Sequence, residues 1–189
     1  MRILALLALV LAALPAADLP FKPPAAYACD IAFSDGQQKV TGRMIVGGTD
    51  RQRMEMKADG QNMVMIMRHD QKKMFMLMPD QKMAMTMPLN PAQAPVGSQV
   101  VNDPTATWKK TGSETVNGVL CDRYEWSSKD GKGTGWIDAK LGVMVRAKDA
   151  EGKGQADFTN YQIGAQKADL FEVPKDYQVM AGMGGMMGR

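Results

Sequence analysis

Thioether sulfurs are the groups in this sequence whose type and spacing could do chemistry. Residues 54–87 carry eleven of the chain's 18 methionines, and they recur at every second position: MEM at 54–56, MVMIM at 63–67, MFMLM at 74–78 and MAMTM at 83–87. That spacing puts side chains on one face of an extended strand; a helix would scatter Met63, Met65 and Met67 around its circumference. Thioethers are soft donors that select copper(I). They also make an adaptable, polarizable apolar surface of the kind that accepts ligands of variable shape. Reversible oxidation, with methionine as a sink for oxidants, is a third use of the same residues. The bland alternative is a soft but ordinary core, although cores draw mainly on Leu, Ile, Val and Phe. The apolar-ligand reading leads. The ladder contains no histidine or cysteine, and the one histidine, His69, falls at a turn beside Asp70. The flexible, Met-rich tail is the better copper candidate.

Positioning these sulfurs requires hairpins, and their register can be tested by counting. With Asp59-Gly60 as a two-residue loop, Met56 opposes Met63 and Met54 opposes Met65. With Asp70-Gln71 as the next, Met67, Met65 and Met63 oppose Met74, Met76 and Met78. With Asp80-Gln81 as the third, Met78, Met76 and Met74 oppose Met83, Met85 and Met87. Each hairpin brings methionine onto the same face, and a one-residue slip in any of them would break the match. Asp-Gly suits a primed turn well; the two Asp-Gln turns are weaker signals. Met44 joins through a longer loop at Gly47–Arg51. The candidate ligand-binding residues are therefore Met44, Met54, Met56, Met63, Met65, Met67, Met74, Met76, Met78, Met83, Met85 and Met87. The opposite face reads Glu55, Val64, Ile66, Phe75, Leu77, Ala84 and Thr86, apolar in the middle and polar at its ends.

The rest of the chain continues the strand pattern. Strands are predicted at 28–34, 39–46, 51–57, 62–68, 73–79 and 82–87. Residues 88–107 hold four prolines and form a long loop, a candidate lid. Strand signals resume after Trp108, with Asn117-Gly118 as a hairpin turn, and a short helical stretch begins near residue 166. The sum is roughly ten short strands in one β-rich domain, all-β to α+β, a meander curling into a barrel or half-barrel. Residues 1–17 read as a secretory signal peptide: Arg2, an apolar run from Ile3 to Leu14, then small residues. Residues 18–27 are a proline-rich leader, 28–178 the domain, and 179–189 a disordered Met/Gly tail. A lipoprotein signal ending at Cys29 is disfavoured, because the apolar run stops well before it.

Export bounds the function. The compartment is the periplasm, where Cys29 and Cys121 are expected to form a disulfide, two separate buried thiols being the alternative. A net charge of +3, with scattered basic residues, argues against nucleic acid. No nucleophile elbow, phosphate loop, zinc signature or telling carboxylate pair stands in the sequence, which reads as no enzyme and needs no cofactor. The expected partner is a lipid or apolar small molecule, held by a monomer with transient contacts to membrane or envelope proteins.

Four stretches in order carry a resemblance: RMEMKADGQNMVMIMRHDQKKMFMLMPDQKMAM, WKKTGSETVNGVLCDRYEW, GWIDAKLGVMVRA and ADLFEVPKDYQVM. Together they resemble the DUF4412-type exported proteins, a group similar to the LolA/LppX-like lipoprotein-carrier folds. The resemblance implies a strongly curved antiparallel sheet, an incomplete barrel, with one or two short helices at its open side. It also implies a hydrophobic cavity of the kind that holds acyl chains in the carriers. The chain departs from the carriers in having methionine where they mix aromatic and aliphatic residues, and in having no counterpart of their gating arginine.

Overall fold

The computed structural model describes residues 19–34, 39–58, 60–89, 106–128 and 131–181. The expected signal peptide, the body of the 88–107 loop and residues 182–189 of the tail lie outside them.

The alternating segments fold as strands: β1 Ala26–Ser34, β2 Lys39–Gly47, β3 Arg51–Ala58, β4 Gln61–Arg68, β5 Lys73–Met78, β6 Met83–Pro88, β7 Thr107–Val116, β8 Val119–Ser128, β9 Gly131–Asp138, β10 Met144–Asp149, β11 Gln155–Ile163 and β12 Gln178–Ala181. They form one sheet of 12 strands, where the sequence suggests about ten, in the order β12-β6-β5-β4-β3-β2-β1-β11-β10-β9-β8-β7. The sheet is curved, open and half-barrel-like. Its neighbours run antiparallel except β12 and β6, which are parallel. The helical content of the described residues is two 3-10 turns, Pro79–Gln81 and Ala168–Phe171.

The methionine hairpins hold the expected register, but two of their turns differ. Asp70-Gln71 and Asp80-Gln81 sit at the centre of four-residue loops, each ending in a left-handed lysine, Lys72 at φ 53° and Lys82 at φ 52°. Without a glycine, the chain uses the longer loop type in place of the primed two-residue turn. Asn117-Gly118 does form the primed turn, with φ 52° and 79°.

The two faces of the β2–β6 half are covered differently. On the non-methionine face, Ala28, Ile45, Val64, Ile66, Leu77 and Ala84 pack under Phe171, with Leu170, Val173 and Tyr177 beside it. The chain leaves β11, lays this segment across the face and then adds β12 to the outer edge of β6. Residues 179–181, expected in the tail, are thereby part of the sheet.

The expected disulfide is absent. Cys29 and Cys121 are both free and buried. Cys29 lies in β1 and Cys121 in β8, with β11, β10 and β9 between them. Four strand spacings separate them by about 19 Å, far beyond the roughly 7 Å limit for a bridge. They also face opposite sides of the sheet: Cys29 stands opposite Met44, while Cys121 packs with Val116 and Val145 on the other face.

Candidate functional site

The strand pairing assembles the methionines into rungs that cross the sheet on one face. The central rung runs Cys29–Met44–Met54–Met65–Met76–Met85–Met180, one residue from each of seven adjacent strands. A second runs Ile163–Tyr27–Val46–Gln52–Met67–Met74–Met87. On the other side lie Ile31–Gly42–Met56–Met63 and the pair Met78–Met83. All twelve candidate methionines thus share one face. Met44, Met54, Met67 and Met74 are buried; the other eight are half-buried. Sequence reasoning missed Met180, because the four residues of β12 are too few to show a period.

Two glycines report how the sheet bends. A Cβ at Gly42 would lie 2.2 Å from the Glu55 carbonyl oxygen, and one at Gly133 would lie 2.1 Å from the Lys148 carbonyl oxygen. Gly42 pairs with Met56, and Gly133 with Trp126 and Asp149, so both are on the methionine face. There the neighbouring strand's backbone occupies the space a side chain would take. Glycine in a strand interior permits such tight bends.

On the β7–β11 half the same face becomes aromatic. Trp108 stands opposite Trp126, and Tyr124 opposite Gly135. Leader residue Phe21 packs edge-on against Trp108, with centroids 5.2 Å apart, and lies 5.7 Å from Tyr124. A recess of about 140 Å³ opens between Phe33, Trp108, Trp126, Met144, Ala147 and Ala156. A side chain at Gly133 would meet the Trp126 ring, and one at Gly135 would crowd Trp108 and Met144. The legible signal for this half was the glycine pair in GKGTGW (131–136) beneath the tryptophans.

A polar knot marks the junction of the halves. Cys29 is hydrogen-bonded to Tyr161, whose hydroxyl donates to the Met144 carbonyl, and the Tyr27 and Tyr161 rings pack 5.6 Å apart. Burial pushes the Cys29 thiol up to about 12 and raises both tyrosine hydroxyls as well. These groups stay protonated and neutral at physiological pH, which suits an apolar face better than nucleophilic chemistry. Among the described residues, no group of three or more His, Cys, Asp or Glu side chains could hold a metal ion. His69 sits in the β4–β5 turn, exposed, as expected. A larger cleft of about 740 Å³ lies at the end of the sheet, where the charged residues Asp30, Arg43, Glu55 and Lys57 meet Ile31, Gly42, Met56 and Met63 of the methionine face.

The family described as a domain of unknown function (DUF4412) matches residues 31–145, more than half of the chain. No curated protein sequence matches it. Among solved structures, an uncharacterized conserved protein from Thermus thermophilus is similar at 11% identity and TM-score 0.63, over 84% of this chain and 91% of that one. MucB of the Pseudomonas aeruginosa MucA/MucB complex is similar at 16% identity and TM-score 0.52, over 82% of this chain but only 58% of the other. A LolA superfamily protein from Nitrosomonas europaea is similar at 10% identity and TM-score 0.44, over 80% and 92%. At these identities, the likenesses to the Thermus protein and MucB show the fold.

Proposed function

Because the chain belongs to the DUF4412 family, whose description assigns no activity, we propose a function from its own geometry: it binds a lipid or other apolar molecule on the methionine face. One observation carries this reading. The twelve candidate methionines, eight of them only half-buried, occupy one side of a curved sheet together with Met180, while the C-terminal segment covers the other side. The bends at Gly42 and Gly133 support a concave methionine face. The aromatic recess extends it and offers a stopping place for the end of a chain or a ring. Methionine suits this role because its unbranched thioether adapts to the contour it meets. Each side chain fully covered by ligand contributes about 1.5–3 kcal/mol before the costs of ordering the ligand. The role is binding, not catalysis. The apolar N-terminal run supports export, which would place the face in the periplasm.

Native mass spectrometry of protein purified from the cell envelope, combined with lipid extraction and metal analysis, tests this. A co-purifying acyl lipid is expected. The double substitution Met65→Glu/Met76→Glu puts two carboxylates in the central rung and should abolish lipid retention while circular dichroism stays that of the folded sheet. Unchanged retention in that folded variant removes this face from consideration. Stoichiometric copper, lost on deletion of residues 182–189, which leaves β12 whole, would favour soft-metal binding instead.

A further inference from the structure

Four large hydrophobic side chains are exposed among the described residues, and three of them lie at one end of the sheet: Leu120 at 61%, Leu141 at 38% and Ile163 at 49%. Leu120 follows the Asn117-Gly118 turn at the start of β8, Leu141 lies in the β9–β10 turn, and Ile163 ends β11. The elements are consecutive in the sheet, so the three make a row about 14 Å long, three strand spacings. Leu120 and Ile163 are on the methionine face: Leu120 is two residues before Asp122 and four before Tyr124, and Ile163 pairs with Tyr27. The row therefore runs into the Ile163–Tyr27–Val46–Gln52–Met67–Met74–Met87 rung.

Charges of both signs stand around the row: Glu114 and Asp122 lie beside Cys121, the residue after Leu120, but Asp122 is paired with Lys110 at 2.7 Å and Glu114 accepts from the Trp136 indole at 2.6 Å. Lys140 is exposed in the same turn as Leu141, and Lys22 is exposed where the leader crosses it. The crossing is close: a Cβ at Gly142 would lie 2.5 Å from the Lys22 carbonyl oxygen. The carboxylate of this turn, Asp138, is engaged within it, accepting from the backbone N–H groups of Lys140 at 2.7 Å and Leu141 at 2.9 Å. Exposed aliphatic tips beside lysine ammonium groups are the combination that enters the boundary between acyl chains and anionic headgroups.

We propose that this end of the sheet docks on an anionic bilayer surface, with Leu120, Leu141 and Ile163 entering the headgroup layer and Lys22 and Lys140 meeting its negative charge. The row itself stands apart from the ligand assignment; that docking delivers lipid to the methionine rungs rests on the reading above.

Co-sedimentation of the full mature chain with vesicles tests it. The vesicles are phosphatidylcholine alone or with about one-third phosphatidylglycerol. The wild-type protein should sediment with the anionic vesicles and be released by salt, since headgroup attraction is screened. Leu120→Ser/Leu141→Ser/Ile163→Ser, at exposed sites that leave the fold intact, should lose at least about tenfold in partitioning. Lys22→Glu/Lys140→Glu should lose anionic selectivity. No binding to anionic vesicles, or binding undiminished in the triple serine variant, overturns the proposal. So does a concentration-dependent dimer abolished by the same three serines without vesicle binding, which would assign the row to a second copy of the chain. The Met65→Glu/Met76→Glu protein should dock as the wild type does, so failure of the ligand reading and failure of docking register in different measurements.

Discussion

Cys29 sets the molecule's response to alkali. Its thiol is fully buried, and burial moves its pKa from the usual 9.0 to about 12, a hydrogen bond with Tyr161 acting the other way. The folded state therefore holds this proton more tightly than the unfolded chain does. Stability from this group is complete below about pH 9 and declines as pH rises toward 12, because there the unfolded state binds fewer protons. The Tyr27 and Tyr161 hydroxyls, also raised by burial, add in the same direction. Urea unfolding should show a falling midpoint from about pH 9 to about pH 11, with a shallower fall in Cys29→Ala. A flat profile in the wild type would mean the thiol is accessible. The pairing of the two cysteines was not legible in the sequence for a related reason. Export chemistry says that two thiols tend to pair, but their positions are fixed by strand order, and no local pattern reveals that β8 lies four strands from β1. The methionines were legible because alternation and turn spacing are local.

At the scale of elements, the C-terminal segment acts as a clasp. Phe171 is 1% exposed, under Gly47, with the Arg51 guanidinium 5.6 Å from its ring centre. Arg53 donates to the Leu170 carbonyl at 3.0 Å, and Arg68 to the Phe171 carbonyl at 3.3 Å. Arg68 also holds Asp70 through two hydrogen bonds, at 2.9 and 2.7 Å, and pairs with Glu172. A methyl group at Gly47 would sit 2.5 Å from two carbons of the Phe171 ring. Gly47→Ala should therefore destabilise the protein by about 1–3 kcal/mol, despite the usual gain from replacing glycine in a strand. Adding Phe171→Leu should give a double variant less destabilised than the sum of the two single changes, since the clash is shared. Denaturant unfolding reads both, and a Gly47→Ala protein as stable as the wild type would disprove the close contact. Sequence reasoning found a short helical stretch here and an apolar opposite face, but not that one covers the other. The link joins residues more than 100 apart, and the 3-10 turn is too short to show an amphipathic period. The hairpins β2–β6, whose partners are neighbours in sequence, were read with their registers.

The whole sheet turns on its first strand. Hairpins build β2–β6 and β7–β11 as two meanders, and β1 joins them by pairing with β2 on one side and β11 on the other. One carboxylate ties both seams: Asp30 accepts from Arg43 on β2 at 3.0 Å and from Asn160 on β11 at 2.7 Å. The β1–β11 seam pairs Tyr27 with Ile163, so closing it costs far more chain entropy than closing any hairpin. This is the part of the architecture that the hairpin arithmetic did not reach; the strand count led to a barrel or half-barrel without saying which strands would join its two meanders. The family match, residues 31–145, likewise stops short of β11. The sheet's edges are of a different character. The four-residue β12 ends one side, and β7 ends the other with Lys109, Lys110 and an irregularity between Lys110 and Gly112, features that discourage pairing with another chain. Protection should follow this plan. In hydrogen exchange read by mass spectrometry, amides of β1, β2 and β11 should open only with global unfolding, while those of β7 and β12 should exchange orders of magnitude sooner through local fraying. Peptides from β1 that exchange as fast as those from β7 would show two independent meanders with a loosely held strand between them. A continuous binding face across both halves requires the opposite, because the central rung begins at Cys29 on that strand and every methionine beyond it is placed by register from there.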